Sequence, residues 1–536
     1  MTLGRLRVAL LFILVGAVVH PLLALVRTAF PAGSPESLMD AVGSPSVRAC
    51  VLLSAGIAAA SVLGAAAVGI PLGIAAARLR SGSIFKTAAL APMLMPAVLG
   101  TLAFWFVFGR GGLLPTVVSG FEGEFRGVGA VLLIHALTLP TAFTLLVESA
   151  LRRADPALFD AARSLGAGPF RAFVDGTLPQ ILPSIGGAAA LVWMSATASF
   201  TAPFVFGTDR TLTTAIFVER QDDPARAAAI ALLLFVLAAA PLIVLRRSSA
   251  SARKGAYAAP PPSRGSARTW LLAIAVPIAA AVVLPLVTMF ALSFVEGGRL
   301  VGGFADARFS TSAWTTVIGG SAELPASIGR SLLFSAIAVV VDIAVGTSLV
   351  LVARRASTGW RRLLLGLASI PFAVPATVLG IAMAEAYATG GFLGLGPPLV
   401  GTWAMLPFAY AVRNLPLLVQ SVDAGCAMIP SGLEDASATL GATPGATVRH
   451  LLIPLLKPAI AAGATLAFAA CTGEFVVSIL LFDPATKPAA VAIHDLFRTG
   501  SFGVAAAAGL CLSFATLVPV LVLGRFSRAE TTASTT

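Results

Sequence analysis

Apolar residues form long continuous runs along this chain, separated by short polar or basic segments. A membrane-spanning helix needs about 20 such residues, whereas a membrane β-barrel would show alternation in segments of about ten. The first run follows Arg5 and Arg7 without a clear cleavage site, so we expect a retained helix rather than a signal peptide. The pattern predicts twelve spanning helices over 6–26, 50–77, 84–108, 128–150, 181–205, 225–246, 270–294, 331–353, 362–388, 398–422, 457–481 and 502–524.

The overall composition agrees with this pattern. The chain has 536 residues, of which 57% are hydrophobic and 11% charged, and its mean hydropathy is +0.93. Ordinary soluble domains are about 25% charged. A soluble enzyme, a disordered chain and a fibrous protein are therefore excluded as classes. The fold class we predict is all-α, a polytopic membrane protein with about 12 transmembrane helices.

The net charge of +12 arises from basic residues in alternate gaps between the runs. If the N-terminus is cytoplasmic, inside segments hold 23 Lys and Arg residues and outside segments hold 12, while Arg413 lies within a span. Cytoplasmic loops of membrane proteins are enriched in Lys and Arg, so both termini are predicted to be cytoplasmic. The charge thus indicates membrane topology, and we do not expect nucleic-acid binding.

The twelve runs divide into two groups of six. Residues 247–269 between them are rich in Ser, Ala, Pro and Gly and are basic, which is typical of a flexible linker. We therefore predict a first half over 1–246, a cytoplasmic linker over 247–269 and a second half over 270–536. The segments APMLMPAVLG (91–100) and IPFAVPATVLG (370–380) are a weak repeat between the halves.

A stronger repeat is a polar loop that occurs once in each half. FDAARSLGAGPFRAFVDGTLPQILPSI follows the fourth run, and LEDASATLGATPGATVRHLLIPLLKPAI follows the tenth. The acid is expected near the positive end of a short helix, the glycine permits a sharp turn, and the proline starts the next membrane helix. The positions that match at one constant offset are Asp160 and Asp435, Ala161 and Ala436, Gly166 and Gly441, and Pro179 and Pro454.

This loop resembles the EAA loop of ATP-binding-cassette importer permeases, which reads E-A-A, three residues, Gly, nine residues, then I-x-L-P. The first copy departs from that form at Asp160 and Gly176, and the second at Asp435, Ser437 and Leu451. The resemblance implies a type I importer permease fold in two homologous six-helix halves. It also implies that loops about 155–180 and 430–455 dock on an ATPase through Asp160, Ala161, Ala162, Gly166, Pro179, Asp435, Ala436, Ser437, Gly441 and Pro454.

The same resemblance implies separate partner proteins. The chain has no GxxxxGK[ST] motif, so ATP and Mg are expected on a partner ATPase homodimer, and this chain is expected to be a transport subunit without a cofactor rather than an enzyme. Its outside loops are short, which implies a separate extracytoplasmic solute-binding protein. The expected location is the bacterial inner membrane.

The segments 199–217, 401–418, 458–482 and 490–512 resemble the fused permeases for ferric iron. Ferric iron is therefore the predicted solute, with thiamine, phosphonate or polyamine import by the same family as alternatives. A different class, a secondary transporter, also uses repeated six-helix halves. A membrane enzyme is disfavoured because the four histidines are scattered and HExxH and GxSxG are absent.

Charged residues within spans are functional candidates because burying them is costly. Glu474 could face the pore and hold a cation, or it could pair with Arg413; both alternatives stay open. Ser199 and Thr201 could line the outer mouth of the translocation pathway, or could belong to a proline-kinked span end. We expect Asp342 and Glu385 to pair with Arg413 or reach water, and Glu148 to reach water. His20 and His135 are expected to form hydrogen bonds between helices; a metal site is unknown.

Overall fold

The protein is helical throughout the part that the computed structural model describes. That part comprises residues 3–118, 120–121, 125–208, 210–248, 265–301, 303–320, 322–430 and 432–528. Within these ranges, one isolated antiparallel bridge between Val295 and Phe309 is the only β contact. The all-α prediction is thus confirmed, whereas most of the predicted linker, residues 249–264, lies outside the described residues.

The α-helices vary from four to 34 residues because short helices flank the long apolar ones. In chain order they are α1 (Leu3–Leu14), α2 (His20–Ala29), α3 (Glu36–Gly43), α4 (Pro45–Arg78), α5 (Gly82–Leu90), α6 (Ala97–Phe108), α7 (Leu113–Val117), α8 (Gly127–Thr138), α9 (Thr141–Arg153), α10 (Pro156–Ser164), α11 (Pro169–Ala172), α12 (Leu178–Thr197), α13 (Thr201–Val205), α14 (Leu212–Asp222), α15 (Pro224–Ser248), α16 (Gly265–Leu292), α17 (Ser312–Gly319), α18 (Glu323–Arg354), α19 (Thr358–Ala373), α20 (Ala376–Tyr387), α21 (Met405–Ala427), α22 (Gly432–Thr439), α23 (Pro444–Thr447), α24 (Ile453–Thr472), α25 (Val476–Leu481), α26 (Ala489–Arg498) and α27 (Phe502–Arg528).

Eleven helical segments of the described chain are long and apolar enough to cross a membrane. The tenth predicted span is present as α21 but is not among the eleven. Its hydropathy is reduced by Arg413, Asn414 and Gln420, which a purely apolar run would lack. The count of about twelve helices therefore includes one helix with a polar face.

Two predicted spans are divided at matched positions in the two halves. The span over 84–108 is divided between α5 and α6, and the span over 362–388 is divided between α19 and α20. In both, an extended residue precedes a proline: Met95 has ψ 146° before Pro96, and Val374 has ψ 128° before Pro375. Proline has no N–H to donate, and it disfavours helical geometry in the residue before it. The weak sequence repeat therefore marks a helix break in each half.

A second pair of breaks interrupts the spans predicted over 181–205 and 457–481. α12 ends at Thr197 and α24 ends at Thr472, and the chain resumes helical geometry at α13 and α25. α12 and α24 have the same length, 20 residues, and begin and end at positions that the polar-loop repeat aligns. The backbone geometry of the two sequence repeats is thus closely matched in this region.

The chain forms two compact units that do not coincide with the two sequence halves. One unit contains residues 1–35 and 314–536, and the other contains residues 36–313. The first spanning helix of the first half therefore lies in the same unit as most of the second half. The first spanning helix of the second half, α16, lies in the same unit as most of the first half. The predicted boundaries at 246 and 270 describe the sequence repeat and remain a prediction as domain limits.

Core contacts within each unit explain why these first helices are held there. In the unit containing the N-terminus, Leu10 and Leu14 of α1 are buried in one cluster with side chains of α18, α21 and α24. Tyr387 of α20 also donates a 2.6 Å hydrogen bond to the carbonyl of Gly16, which a π-helical turn over Val15–Val19 exposes. In the other unit, Ala275 of α16 is buried against α4 and α5.

Candidate functional site

The turn at the centre of each polar loop has the same backbone geometry in both copies. Gly166 has φ +87° and Gly441 has φ +81°, a region that side chains disfavour. In the first copy, the N–H of Gly166 bonds the carbonyl of Arg163 and the N–H of Ala167 bonds that of Ala162. The second copy repeats both hydrogen bonds at the aligned positions. These two bonds form a Schellman motif, which ends a helix at a left-handed residue.

The helix before the turn begins earlier than the motif suggests. Asp160 lies within α10 rather than at its start, and Asp155 is the N-cap, accepting a 2.9 Å hydrogen bond from the N–H of Ala157. Asp435, in contrast, lies in the first turn of α22, as the repeat predicts. The expectation that the motif acid sits at the positive helix end is therefore wrong for Asp160. An Asp before Pro156 is the signal that would have located this cap.

After the turn, the chain enters the next membrane helix without a break. α11 and α23 each continue through a π-helical turn, Phe173–Thr177 and Val448–Leu452, into α12 and α24. Pro179 and Pro454 lie in the second position of α12 and α24, directly after these π-helical turns, so each proline is at the start of its membrane helix, as predicted. At Gly176, a side chain would approach the carbonyl oxygen of Leu158 to 2.7 Å, which explains this departure from the motif.

Both loops expose large apolar side chains at matched positions. Leu165 is 89% exposed, and Leu440, which the repeat aligns with it, is 88% exposed. Leu158 and Leu433 are a second matched pair, also exposed. Phe170 is 80% exposed in the first loop only, because Gly445 occupies its position in the second. Exposed apolar residues on an otherwise polar loop are typical of a protein-docking surface.

The second loop is fixed to the membrane helices of its unit by Glu434. Its carboxylate accepts hydrogen bonds from Arg354 Nε at 2.6 Å and from Arg355 Nη2 at 2.9 Å. Arg354 also donates to the carbonyls of Cys426 and Ile429, which joins the ends of α18 and α21. Burial raises the pKa of Glu434, but hydrogen bonds and charges from Arg355 and Arg354 outweigh it and hold the pKa below its ordinary value.

The first loop is fixed by different contacts. Gln180 accepts a 2.8 Å hydrogen bond from the N–H of Asp155 and donates to the carbonyls of Asp155 and Gly176. On α9, which precedes the loop, Glu148 is an ion-pair partner of Lys86 at 3.0 Å and of Arg152 at 3.1 Å. Glu148 is thus buried and paired, in contrast to the expectation that it reaches water.

Arg413 lies on α21 beside the break between α19 and α20. Its Nη1 donates to the carbonyl of Pro371 at 2.6 Å and to that of Val374 at 3.0 Å. In a continuous helix, the carbonyl of Pro371 would accept the N–H of residue 375, but Pro375 has none. The guanidinium therefore satisfies an acceptor that the proline leaves free. No ion pair joins Arg413 to Glu474, Asp342 or Glu385 within the described chain, so the alternative in which one of these acids pairs with Arg413 is wrong.

Glu474 lies in the break between α24 and α25, where it is half-buried. Its Oε1 accepts a 3.1 Å hydrogen bond from the N–H of Val477 in the first turn of α25. Tyr410 of α21 contacts the same helix through a 2.6 Å hydrogen bond with Ser478. Whether Glu474 faces the translocation pathway stays a prediction.

Ser199 occupies the position in the first half that corresponds to Glu474. Its hydroxyl is 2.9 Å from His135 Nε2, and His135 Nδ1 is 2.8 Å from the hydroxyl of Ser61. His135 on α8 therefore joins α4 to the break between α12 and α13, which confirms its predicted role as a hydrogen-bonding residue between helices. Thr201 is buried in the first turn of α13. The role of Ser199 and Thr201 in the pathway stays a prediction.

Three other polar residues within spans also have defined surroundings. Glu385 accepts a 3.1 Å hydrogen bond from the hydroxyl of Thr28. Asp342 is 1% exposed, and its Oδ2 has no hydrogen-bond partner among the described residues. His20 packs edge-on against the ring of Tyr387, and its buried Nδ1 has no hydrogen-bond partner among the described residues, so the hydrogen bond between helices that we expected is absent at this atom. The expectation that Asp342 reaches water or pairs with Arg413 is therefore wrong, because neighbouring helices enclose this side of α18.

Comparison with known proteins places the chain among transport components. The family model described as "Binding-protein-dependent transport system inner membrane component" matches residues 69–254 and again residues 345–530. One match includes the first polar loop and the other includes the second.

Curated relatives agree with that description. The chain is 26% identical over 497 residues to a probable ABC transporter permease protein of Sinorhizobium fredii, covering 89% of this chain and 87% of the relative. It is 32% identical over 126 residues to a sulfate transport system permease protein of Salmonella typhimurium, covering 23% of this chain and 46% of that relative. It is 26% identical over 159 residues to a putative 2-aminoethylphosphonate transport system permease protein of Salmonella paratyphi A, covering 30% of this chain and 58% of that relative. The chain thus spans about half the length of the last two.

Proposed function

From the premise that this chain belongs to the family of binding-protein-dependent transport system inner membrane components, we propose that it forms the whole translocation pathway of an ATP-binding-cassette importer. The family match occurs twice, so a single chain supplies both permease halves that such a pathway needs. The multi-pass helical fold and the family both support an inner membrane location. A cytoplasmic location of both termini is part of the proposal and is supported by the distribution of basic residues.

The paired polar loops are the proposed docking sites for a separate ATPase. The observation that supports this most strongly is their matched geometry: the same left-handed glycine, the same two turn hydrogen bonds and the same exposed leucine recur in both loops. Two similar surfaces suit a homodimeric partner, since each ATPase subunit then meets an equivalent loop. Closure of the ATPase dimer would move the loops and change the accessibility of the pathway.

The solute is proposed to be a small compound with an oxyanion group, delivered by an extracytoplasmic binding protein. Two relatives are named for sulfate and 2-aminoethylphosphonate transport, and Arg413 is a half-buried cation within a span. Fe³⁺ prefers several oxygen ligands, but no group of three His, Cys, Asp or Glu side chains that could hold a metal ion occurs among the described residues. Ferric iron, thiamine and polyamine therefore remain predictions with less support.

Reconstitution tests the proposed function directly. The chain would be co-purified with its ATPase subunit, placed in liposomes with the binding protein, and assayed for accumulation of the binding protein's ligand. We expect uptake that requires ATP and is abolished when the ATPase subunit is omitted. Uptake that survives ATP depletion but collapses with the proton gradient would instead identify a secondary transporter.

A further inference from the structure

One face of α21 contacts both helix breaks of its unit. Tyr410, Arg413 and Asn414 are spaced by three and four residues, so they lie on the same side of the helix. Arg413 binds the carbonyls at the α19–α20 break, and Tyr410 contacts Ser478 beyond the α24–α25 break. The buried Asn414 donates a 3.1 Å hydrogen bond to Cys471 near the end of α24. This face therefore connects two segments of irregular backbone within the predicted membrane region.

Arg413 and Glu474 lie on either side of this connection and are not paired with each other. No nitrogen of Arg413 lies within 4.0 Å of a Glu474 oxygen, so the two side chains form no ion pair. Each is instead held by backbone, Arg413 through Nη1 on two carbonyls and Glu474 through Oε1 on the N–H of Val477. These bonds keep a cation and an anion near each other without direct contact.

Two donor groups of Arg413 and one acceptor oxygen of Glu474 remain available. Nε and Nη2 of Arg413 and Oε2 of Glu474 form no hydrogen bond within the described chain, and both side chains are half-buried rather than sealed in a core. Charges inside a membrane are costly unless they contact water, an ionic partner or backbone carbonyls, and the two carbonyls bound to Arg413 use only its Nη1. Irregular backbone at membrane depth is likewise tolerated where it is buried in protein or lines a water-filled cavity.

The charged pair is confined to the second half. The position equivalent to Arg413 is Thr138, whose hydroxyl donates to the carbonyl of Ile134 in its own helix. The position equivalent to Glu474 is Ser199, which is bound to His135. Since the loops are closely matched between halves but these positions are not, the charges are a local feature of the second half and not a requirement of the fold.

We propose that Arg413 and Glu474 together form a site for a small dipolar solute, with an oxyanion at one end and an ammonium group at the other. The inference rests on the proposed importer function and narrows its solute class. The guanidinium donates its remaining N–H groups to two oxygens of the oxyanion, as in bidentate recognition of phosphate. The ammonium donates to Oε2 of Glu474. A solute with only an oxyanion would leave Glu474 without a charged partner, and a solute with only an ammonium group would leave Arg413 without one.

Binding to the permease–ATPase complex in nanodiscs, without the binding protein, tests this site. The probes are 2-aminoethylphosphonate, which has both charges, and ethylphosphonate, ethylamine and sulfate, which each have one type. We expect 2-aminoethylphosphonate to bind at least about tenfold more tightly than the other three, because a buried charge left unpaired weakens binding by about that factor or more. Equal binding of all four probes would overturn the proposal.

The Glu474→Gln variant separates the charge from the fold. Glutamine retains an oxygen that can accept the hydrogen bond from the N–H of Val477, so the helix break should persist while the negative charge is lost. We expect Glu474→Gln to weaken binding of 2-aminoethylphosphonate at least about tenfold and to leave ethylphosphonate unchanged, whereas Thr138→Ala should change neither. Unaltered binding of 2-aminoethylphosphonate by Glu474→Gln would refute the site. ATP-dependent uptake of another solute, unaffected by this variant, would refute the site while upholding the importer function.

Discussion

The attachment of the second polar loop through Glu434 leads to a quantitative prediction. In Glu434→Ala, Arg354 and Arg355 lose their shared carboxylate while their side chains stay mostly enclosed, at 15% and 24% exposure. Removing one partner of a buried ion pair costs about 3–5 kcal/mol. Residual exposure lets water screen part of that loss, so we expect local destabilisation of about 2–3 kcal/mol.

Hydrogen exchange of the amides over 432–442 measures this loss directly. A local opening free energy lower by about 2 kcal/mol increases their exchange rate roughly thirtyfold. The exposed ion pair Arg171–Asp175 in the first loop provides a matched control, with side chains 81% and 59% exposed. Asp175→Ala should change the exchange of its own loop little, because surface pairs contribute at most about 1 kcal/mol.

The contribution of Glu434 should also depend on pH in a defined direction. Its pKa in the folded protein is lowered, so the stabilisation is present above the ordinary value of 4.5 and is lost as the pH falls below it. Exchange of residues 432–442 should therefore rise at low pH in the wild type, beyond the intrinsic pH effect, but not in Glu434→Ala. If Glu434→Ala and Asp175→Ala behave alike at neutral pH, the attachment has no energetic role and the reasoning is wrong.

Three further predictions concern the loops and the first helix. Gly441→Ala should destabilise its loop by about 1 kcal/mol in a hydrogen-exchange measurement, and Gly441→Asn should do so less, because asparagine tolerates left-handed geometry; equal effects would contradict a backbone cause. Leu165→Ser and Leu440→Ser should each weaken ATPase binding about tenfold in a titration without altering thermal unfolding, whereas unchanged binding would place the docking surface elsewhere. Gly16→Ala should lower the unfolding temperature because its methyl group would overlap the ring of Phe392. Adding Phe392→Ala to that variant should restore part of the lost unfolding temperature, which only this overlap explains.

The features of the polar loops that depend on local chemistry could be predicted from the sequence. Gly166 and Gly441 were identifiable because a left-handed turn needs a residue without a side chain, and the constant offset between the two copies located both at once. The start of α10 was not predicted, since Asp155 lies outside the motif, although its position before a proline was a readable cap signal.

Contacts between distant segments could not be predicted in the same way. The partners of Glu434 lie 79 and 80 residues earlier, and nothing in the loop sequence distinguishes Glu434 from a solvent-exposed acid. The partners of Arg413 are two backbone carbonyls, and the one 42 residues earlier becomes available only because a proline interrupts the helix. A search restricted to oppositely charged side chains therefore could not find this partner.

The exchange of first helices between the compact units constrains how the chain can be made. Residues 36–313 are complete as soon as the middle of the polypeptide has left the ribosome, whereas the other unit needs both its earliest and its latest residues. The N-terminal helix is therefore made first and stays in the bilayer without its packing partners until that whole middle segment has been translated. Two separate genes divided at the linker would yield products that each lack a helix until they meet, so covalent fusion removes a bimolecular step from biogenesis.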